Sequence, residues 1–211
     1  MGYSMSGNFQ SCINGVLMEW MGIEEFAAWA EKKGLILRPN PAEVAWIELP
    51  GGKSRFWLAP PNALRLSALF EDLLAGLEAW GTCVLWPTNS GWPSLHDGFK
   101  ANDRVYNTIL RLARINGPCE GSAVFSADER DILLAILVAH MSIKQGFVDL
   151  FVVPDHGRQI LHASHHDVVH VTCPNALSMN NFVQHMKAHH HELPEAPPDG
   201  TFKSVEWTER K

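Results

Sequence analysis

The chain has too few basic residues to suggest a nucleic-acid partner. It contains 17 lysines and arginines against 23 aspartates and glutamates, and its formal charge at pH 7 is −6. Nucleic-acid-binding proteins gain most of their affinity from clustered Lys and Arg side chains that release counterions from the phosphates. Before the final residues, adjacent basic residues occur only at Lys32-Lys33. We therefore expect a partner that is not a nucleic acid.

Cysteine is scarce, and its spacing excludes the common structural zinc sites. The four cysteines are Cys12, Cys83, Cys119 and Cys173, and they include no Cys-x-x-Cys pair. Structural zinc sites place such pairs, or one pair and two histidines, at short spacings. The N-terminal residues also lack the basic and apolar regions of a secretory signal. These features predict reduced thiols and a cytoplasmic protein.

Long apolar runs are absent as well. A transmembrane helix needs roughly 18 or more consecutive apolar residues, and no segment of the sequence approaches that length. We therefore expect no membrane partner. A composition of 46% hydrophobic and 19% charged residues is ordinary for a globular protein, and 211 residues suffice for one well-buried core.

Turn-forming residues divide the sequence into three parts. Gly, Ser and Asn are frequent at the start, and the segment LPEAPPDG follows the last predicted helix. A Pro-Pro-Asp-Gly run cannot continue a helix or a central strand. We predict a loosely ordered N-terminus over residues 1–17, a single globular domain over residues 18–193 and a flexible tail over residues 194–211.

Periodic apolar residues between these ends predict both helices and strands. Helical spacing and caps predict five helices, at about residues 22–33, 62–80, 103–116, 126–145 and 176–191. Alternating segments predict two β-hairpins, one around Pro50-Gly51-Gly52 and one around the turn at Pro154 to Gly157. The predicted fold class is α/β (α+β), a single domain with a mixed β-sheet of about five to seven strands covered by about five helices.

Histidine gives the strongest compositional signal. Nine of the eleven histidines lie in the segment 156–191, and imidazole is both a frequent metal ligand and a group that titrates near neutral pH. His162, His166 and His170 would share one face if the chain stayed extended between them. Three such imidazoles suit zinc or another divalent metal with an open coordination position. One hypothesis is therefore a metal site at these residues.

The alternative interpretation of the histidines is structural. In the metal hypothesis, Asp155 or Asp167 could provide a further ligand. That hypothesis needs an extended chain between the histidines, and Ser164-His165-His166 interrupts the predicted strand. In the alternative, the histidines cover a sheet face and the triplet His189-His190-His191 ends a helix, where positive charge is favourable. His140, within the most apolar predicted helix, is expected to be a hydrogen-bonded core residue.

Two tripeptides in the same segment have the pattern His-x-Ser or His-x-Thr. They are His162-Ala163-Ser164 and His170-Val171-Thr172, and they resemble the paired motifs of the two-histidine phosphoesterases. The resemblance covers six residues and implies that one histidine acts as base and the other as acid, while the hydroxyls hold phosphate oxygens. In that family the motifs lie far apart on two pseudo-symmetric lobes, whereas here the two histidines are only eight positions apart in the sequence.

Tryptophan is abundant, with eight Trp against two Tyr. Trp86 precedes, and Trp92 lies within, a Gly- and Pro-containing segment that we predict to be a long loop over residues 87–101. The two indoles could form a wall of a ligand or partner site, with Asn89 and His96 as polar contacts and Trp92 as an exposed anchor. The alternative is that Trp86 ends a buried strand and Trp92 folds back over the core.

The sequence contains no complete catalytic or cofactor signature. The segment Gly52-Lys53-Ser54 lacks the first glycine of a phosphate-binding loop and precedes a predicted strand. We therefore expect a non-catalytic protein that binds a protein partner or a small ligand, and a homo-oligomer is compatible with this expectation. The alternative is a metal-dependent hydrolase that uses the segment His156 to His170, with a divalent metal such as zinc as the cofactor.

Overall fold

The computed structural model describes residues 19–38, 46–88, 92, 108–111, 121–143 and 148–194. The strands in these ranges are β1 Glu19–Met21, β2 Ile36–Arg38, β3 Trp46–Glu48, β4 Lys53–Leu58, β5 Thr82–Pro87, β6 Ser122–Ser126, β7 Leu150–Pro154, β8 Ile160–Ser164 and β9 Val168–Cys173. The α-helices are α1 Ile23–Lys32, α2 Ala63–Gly76, α3 Arg130–Ile143 and α4 Ala176–Ala188. A 3-10 turn at Ala127–Glu129 precedes α3, and residues 108–111 are also helical. None of these helices is long and apolar enough to cross a membrane.

Seven of the strands form one antiparallel sheet. Their order is β1-β6-β5-β7-β8-β9-β4, and β2 and β3 form a separate antiparallel pair. The predicted α+β fold, with a sheet of five to seven strands, a hairpin and helical cover, is confirmed. The sheet was predicted to be mixed, but all of its described strand pairs are antiparallel. Both edges of the large sheet, β1 and β4, come from the N-terminal part of the chain.

The two faces of the large sheet are buried under different layers. Helices α2, α3 and α4 pack on one side, here called the helical face, where the larger core cluster includes Leu85 and Ile136. Helix α1 and the β2-β3 pair cover the other side, here called the α1 face, with a smaller cluster around Phe26 and Phe151. Successive strand residues point to opposite faces. Leu85 and Trp86 therefore belong to different clusters.

The predicted hairpin around Pro50-Gly51-Gly52 is wrong, although both of its strands exist. Strand β3 pairs with β2, and β4 pairs with β9 at the edge of the large sheet. Gly52 permits this arrangement, because a Cβ at that position would lie 2.7 Å from Cγ2 of Thr172 in β9. Pairing with β9 also buries Trp57 in the larger core, where the side chain is 2% exposed.

The hairpin predicted around the turn at Pro154 to Gly157 is confirmed. Strands β7 and β8 pair antiparallel on either side of it, and Gly157 has a φ of 67°, which glycine adopts without strain. A second turn, which contains His165 and His166, joins β8 to β9. The segment around His165 and His166, which interrupts the predicted strand, is therefore the turn after which β9 runs antiparallel beside β8.

Candidate functional site

Aromatic and imidazole rings form a continuous row on the α1 face. The row crosses five neighbouring strands in register, through Trp86, Phe151, His162, His170 and Phe56. Successive ring centroids are 5.6, 4.3, 5.1 and 6.2 Å apart. Cross-strand ring pairs of this kind stabilise a sheet through packing. Two of the predicted site histidines are therefore packed against aromatic rings within the sheet.

His162 is enclosed by rings on three sides. Its imidazole stacks on Phe151 with an interplanar angle of 2° and on His170 with an angle of 16°. Trp46 of β3 meets it edge-on at a centroid distance of 4.8 Å. The residue is 5% exposed, and its Nδ1 is buried without a hydrogen-bond partner. This geometry supports the tautomer that carries its proton on Nε2.

One buried carboxylate organises the histidines beside the row. The Oδ2 atom of Asp149 accepts a hydrogen bond from Nε2 of His162 at 2.7 Å. Its Oδ1 atom accepts from Nδ1 of His165 at 2.6 Å and from the backbone N–H of the same residue at 2.8 Å. The backbone N–H of Asp149 donates to Oγ1 of Thr88 at 2.8 Å. These contacts, called the Asp149 cluster, tie the end of β5 to β7 and to the β8-β9 turn.

Burial and hydrogen bonding set the charges of this region. Burial would raise the pKa of Asp149, but the hydrogen bonds from His162 and His165 outweigh it and hold that pKa well below its usual range. The hydrogen bond to Asp149 raises the pKa of His165. Burial, reinforced by His162, lowers the pKa of His170 to about 3, and burial lowers that of His140 to about 4. At neutral pH, Asp149 is ionised while His140 and His170 are neutral.

The predicted metal-ligand set is only partly brought together. His162 and His170 lie side by side, whereas His166 lies in the β8-β9 turn with its ring centroid 3.9 Å from that of His165. Within the described ranges, no three His, Cys, Asp or Glu side chains are arranged to hold a metal ion. The described residues therefore give the zinc hypothesis no support, and it stays a prediction.

The carboxylate beside the histidines is Asp149, which the sequence reasoning missed. Asp155, one of the two aspartates considered, instead accepts hydrogen bonds from the backbone N–H groups of Gly81 and Thr82 at 3.3 and 3.2 Å. Asp167, the other, occupies the β8-β9 turn with a φ of 60°. The available signal for Asp149 was a lone carboxylate inside the apolar run FVDLFVV.

The two His-x-Ser/Thr tripeptides do not face each other across a cleft. His162 and His170 are cross-strand neighbours in register. The Oγ of Ser164 accepts a backbone N–H of the β8-β9 turn at 3.4 Å, and the Thr172 hydroxyl hydrogen bonds with that of Ser54 at 2.7 Å. The arrangement therefore differs from the two lobes that the phosphoesterase resemblance implies.

Trp86 and Trp92 do not form one exposed wall. Trp86 is 6% exposed and lies on the α1 face, whereas Trp92 is 3% exposed and belongs to the core of the helical face. The ring centroid of Trp92 lies 6.3 Å from that of Trp20 on the edge strand β1. The expectation of an exposed Trp92 anchor is therefore wrong, and the alternative of a buried Trp92 is confirmed. Asn89 and His96 lie outside the described residues.

A groove lies between α2, the end of β4 and the residues that follow α4. Its volume is about 590 Å³. Apolar lining residues include Trp57, Leu58, Leu69 and Leu193. The charged or titratable lining residues are Arg65, His189, His190, His191 and Glu192. The histidine triplet at the end of α4 therefore forms part of a concave surface.

Asp72 of α2 fixes the position of this triplet. Its Oδ2 accepts a hydrogen bond from Nε2 of His191 at 2.8 Å, and its Oδ1 lies 2.9 Å from Nδ1 of His189. The backbone carbonyl of Asp72 also accepts from Nε2 of His185 at 3.0 Å. A single residue of α2 thus contacts three histidines and holds one side of the groove in place.

No family model, curated protein or solved structure matches this chain. The described residues contain two histidine-rich regions, the Asp149 cluster and the groove, and the two differ in geometry. The groove is open and combines apolar with charged groups. In the Asp149 cluster, by contrast, the Asp149 carboxylate and the His162 ring are both buried.

Proposed function

We propose that this protein is a non-catalytic binding protein whose groove takes a small ligand. The observation that carries the proposal is the groove, whose volume of about 590 Å³ falls within the roughly 300–1,000 Å³ typical of small-molecule sites. The groove also combines an apolar lining with a few polar side chains. Such a lining buries the apolar surface of a ligand while the polar groups orient it.

The packing of the Asp149 cluster also supports a binding role rather than catalysis. A general base must come within hydrogen-bond distance of the proton that it abstracts. The Nε2 of His162 is occupied by Asp149, and Phe151 and Trp46 pack against the ring. Contacts of this kind hold strands together, and they account for the histidines without a substrate.

A fluorescent probe and two alanine positions on α2 test the proposal. N-phenyl-1-naphthylamine, an uncharged apolar probe, should bind the full chain saturably at about pH 7. Ala68 lines the groove, and Ala75 is also exposed on α2 but does not line it. Ala68→Phe should fill the groove and weaken binding by about tenfold or more, whereas Ala75→Phe should have little effect. Absence of saturable binding, or equal binding by both variants, would contradict the proposal.

Metal analysis of untagged protein tests the competing function. The metal-dependent hydrolase needs close to one equivalent of zinc or another divalent metal bound to the histidine segment. We expect less than about a tenth of an equivalent after purification without a chelator, since a structural or catalytic zinc site normally retains its metal. A full equivalent that is lost in His162→Ala and His170→Ala would favour the hydrolase.

A further inference from the structure

Arg65 lies in the first turn of α2, at the positive end of the helix dipole. The N-cap of α2 is Asn62, and the first turn contains Arg65 but no acidic residue. A positive charge near a helix N-terminus is unfavourable, because it opposes the helix dipole. The Arg65 guanidinium forms no ion pair with any residue of the described ranges. Arg65 therefore lines the groove without an ion-pair partner among the described residues.

His190 differs from its two neighbours in the triplet. Asp72 holds His189 and His191. His190 lies between them with a φ of 64°, and its backbone N–H donates to the carbonyl of Lys187 at 3.0 Å. In the part of the chain that the structure describes, its imidazole is not held by Asp72 or by another side chain. The left-handed backbone thus turns the chain between two anchored residues and leaves this ring for the groove.

The apolar part of the groove is formed around Trp57. Trp57 is 2% exposed and lines the groove, and its indole Nε1 is buried without an acceptor. Leu58 and Leu193 add apolar lining around this position. An occupant with an apolar body therefore matches this part of the groove.

We infer that the ligand is an amphipathic organic anion, with Arg65 and His190 as the residues that recognise its charged end. This inference rests on the proposed binding function. Arg65 is a permanent cation and forms charge-assisted hydrogen bonds with carboxylate, sulfonate or phosphate oxygens. Glu192 is the acidic residue in the lining, and it forms no ion pair with Arg65. The guanidinium charge is therefore available to a ligand.

Two probes that differ by one charged group test the inference. 8-Anilinonaphthalene-1-sulfonate is N-phenyl-1-naphthylamine with an added sulfonate. The wild-type chain should bind the sulfonate about tenfold more tightly than the uncharged parent. Arg65→Gln should remove this difference by weakening the sulfonate alone, and Arg65→Lys should keep much of it. His190→Asn, which tolerates the left-handed backbone, should weaken the sulfonate by a smaller factor.

Arg55→Gln is the matched control. Arg55 is exposed on β4 and does not line the groove, so its loss changes the net charge equally without touching the site. Equal affinity for the two probes, or equal effects of Arg55→Gln and Arg65→Gln, would overturn the inference while leaving the binding function in place. If neither probe binds in a manner sensitive to Ala68→Phe, the proposed function itself fails.

Discussion

At the scale of single residues, the buried histidines determine how the protein responds to acid. The ordinary histidine pKa is 6.5, and burial holds that of His140 at about 4 and that of His170 at about 3. Below pH 6.5 the unfolded chain binds these protons and the folded protein does not, so stability decreases. His165 acts in the opposite direction, because Asp149 raises its pKa and the folded protein binds that proton more tightly. The effect of His165 lies above pH 6.5, because below that value the folded and unfolded chains both bind its proton. Burial also lowers the pKa of His156, so the free energy of unfolding should fall between about pH 6.5 and 4.

Replacing His170 with Phe should make the protein less sensitive to acid. Phe keeps a ring in the row but removes the titrating group, so the slope of unfolding free energy against pH should decrease by about 1.4 kcal/mol per pH unit. Denaturant unfolding at several pH values between about 4 and 7 measures this slope. Val169→Ala, on the same strand, should lower stability without changing the slope. An unchanged slope in His170→Phe would contradict the role assigned to His170.

At the scale of secondary structure elements, the last residue of α2 lies in close contact with α4. The spacing of apolar residues predicted a helix over residues 62–80, but α2 ends at Gly76. A Cβ at Gly76 would lie 2.8 Å from Cδ2 of His185 and 2.9 Å from Cε2 of Phe182, both on α4. The close packing of α4 against α2 therefore requires a residue without a side chain at this position. The same packing places the histidine triplet that follows α4 beside Asp72.

Gly76→Ala should destabilise the protein by about 1–3 kcal/mol, because the new methyl group overpacks the contact with α4. In an unpacked helix the same change would stabilise by up to about 1 kcal/mol. Gly22→Ala is a control, since no atom lies within 4 Å of the added Cβ, and it should cost about 0.5 kcal/mol as an N-cap change. Denaturant unfolding measures both, and a more stable Gly76→Ala would refute the packing argument.

At the scale of the whole molecule, the two histidine-rich regions occupy different faces of the sheet. The row of aromatic and imidazole rings and the Asp149 cluster lie on the α1 face, where Trp46 of β3 packs against His162. The groove is lined by Trp57 and Leu69, which belong to the core of the helical face. Substitutions in the groove can therefore change binding without disturbing the Asp149 cluster.

Deletion of residues 195–211 should leave both the fold and the groove intact. Leu193 packs against the larger core and Pro194 lines the groove, whereas the Pro-Pro-Asp-Gly run beyond them cannot continue a helix. The melting temperature should change by less than about 2 °C, with probe binding retained. Deletion of residues 193–211 should lower both. A large loss of stability on the shorter deletion would instead mean that Trp207 packs in the core.

Local features of the sequence predicted where helices and strands lie better than they predicted which strands pair. The helix predicted from about residue 126 begins there with a capping box, in which the Glu129 carboxylate accepts the backbone N–H of Ser126 at 2.8 Å. His140 was expected in the core, and its Nε2 donates to the carbonyl of Val148 at 2.9 Å. The short edge strand β1 was missed, because three residues have too little pattern to indicate a strand without their partner β6.

The sequence by itself determined where most described helices and turns lie and which residues are apolar enough to form the core. Those properties depend on neighbours in the chain, through periodicity, caps and glycine. The tertiary structure decided that β4 pairs with β9, that Asp149 meets His162 and His165, and that Asp72 meets His191 from 119 positions away. These contacts depend on which faces are buried together, and that choice is made by packing between segments far apart in the sequence.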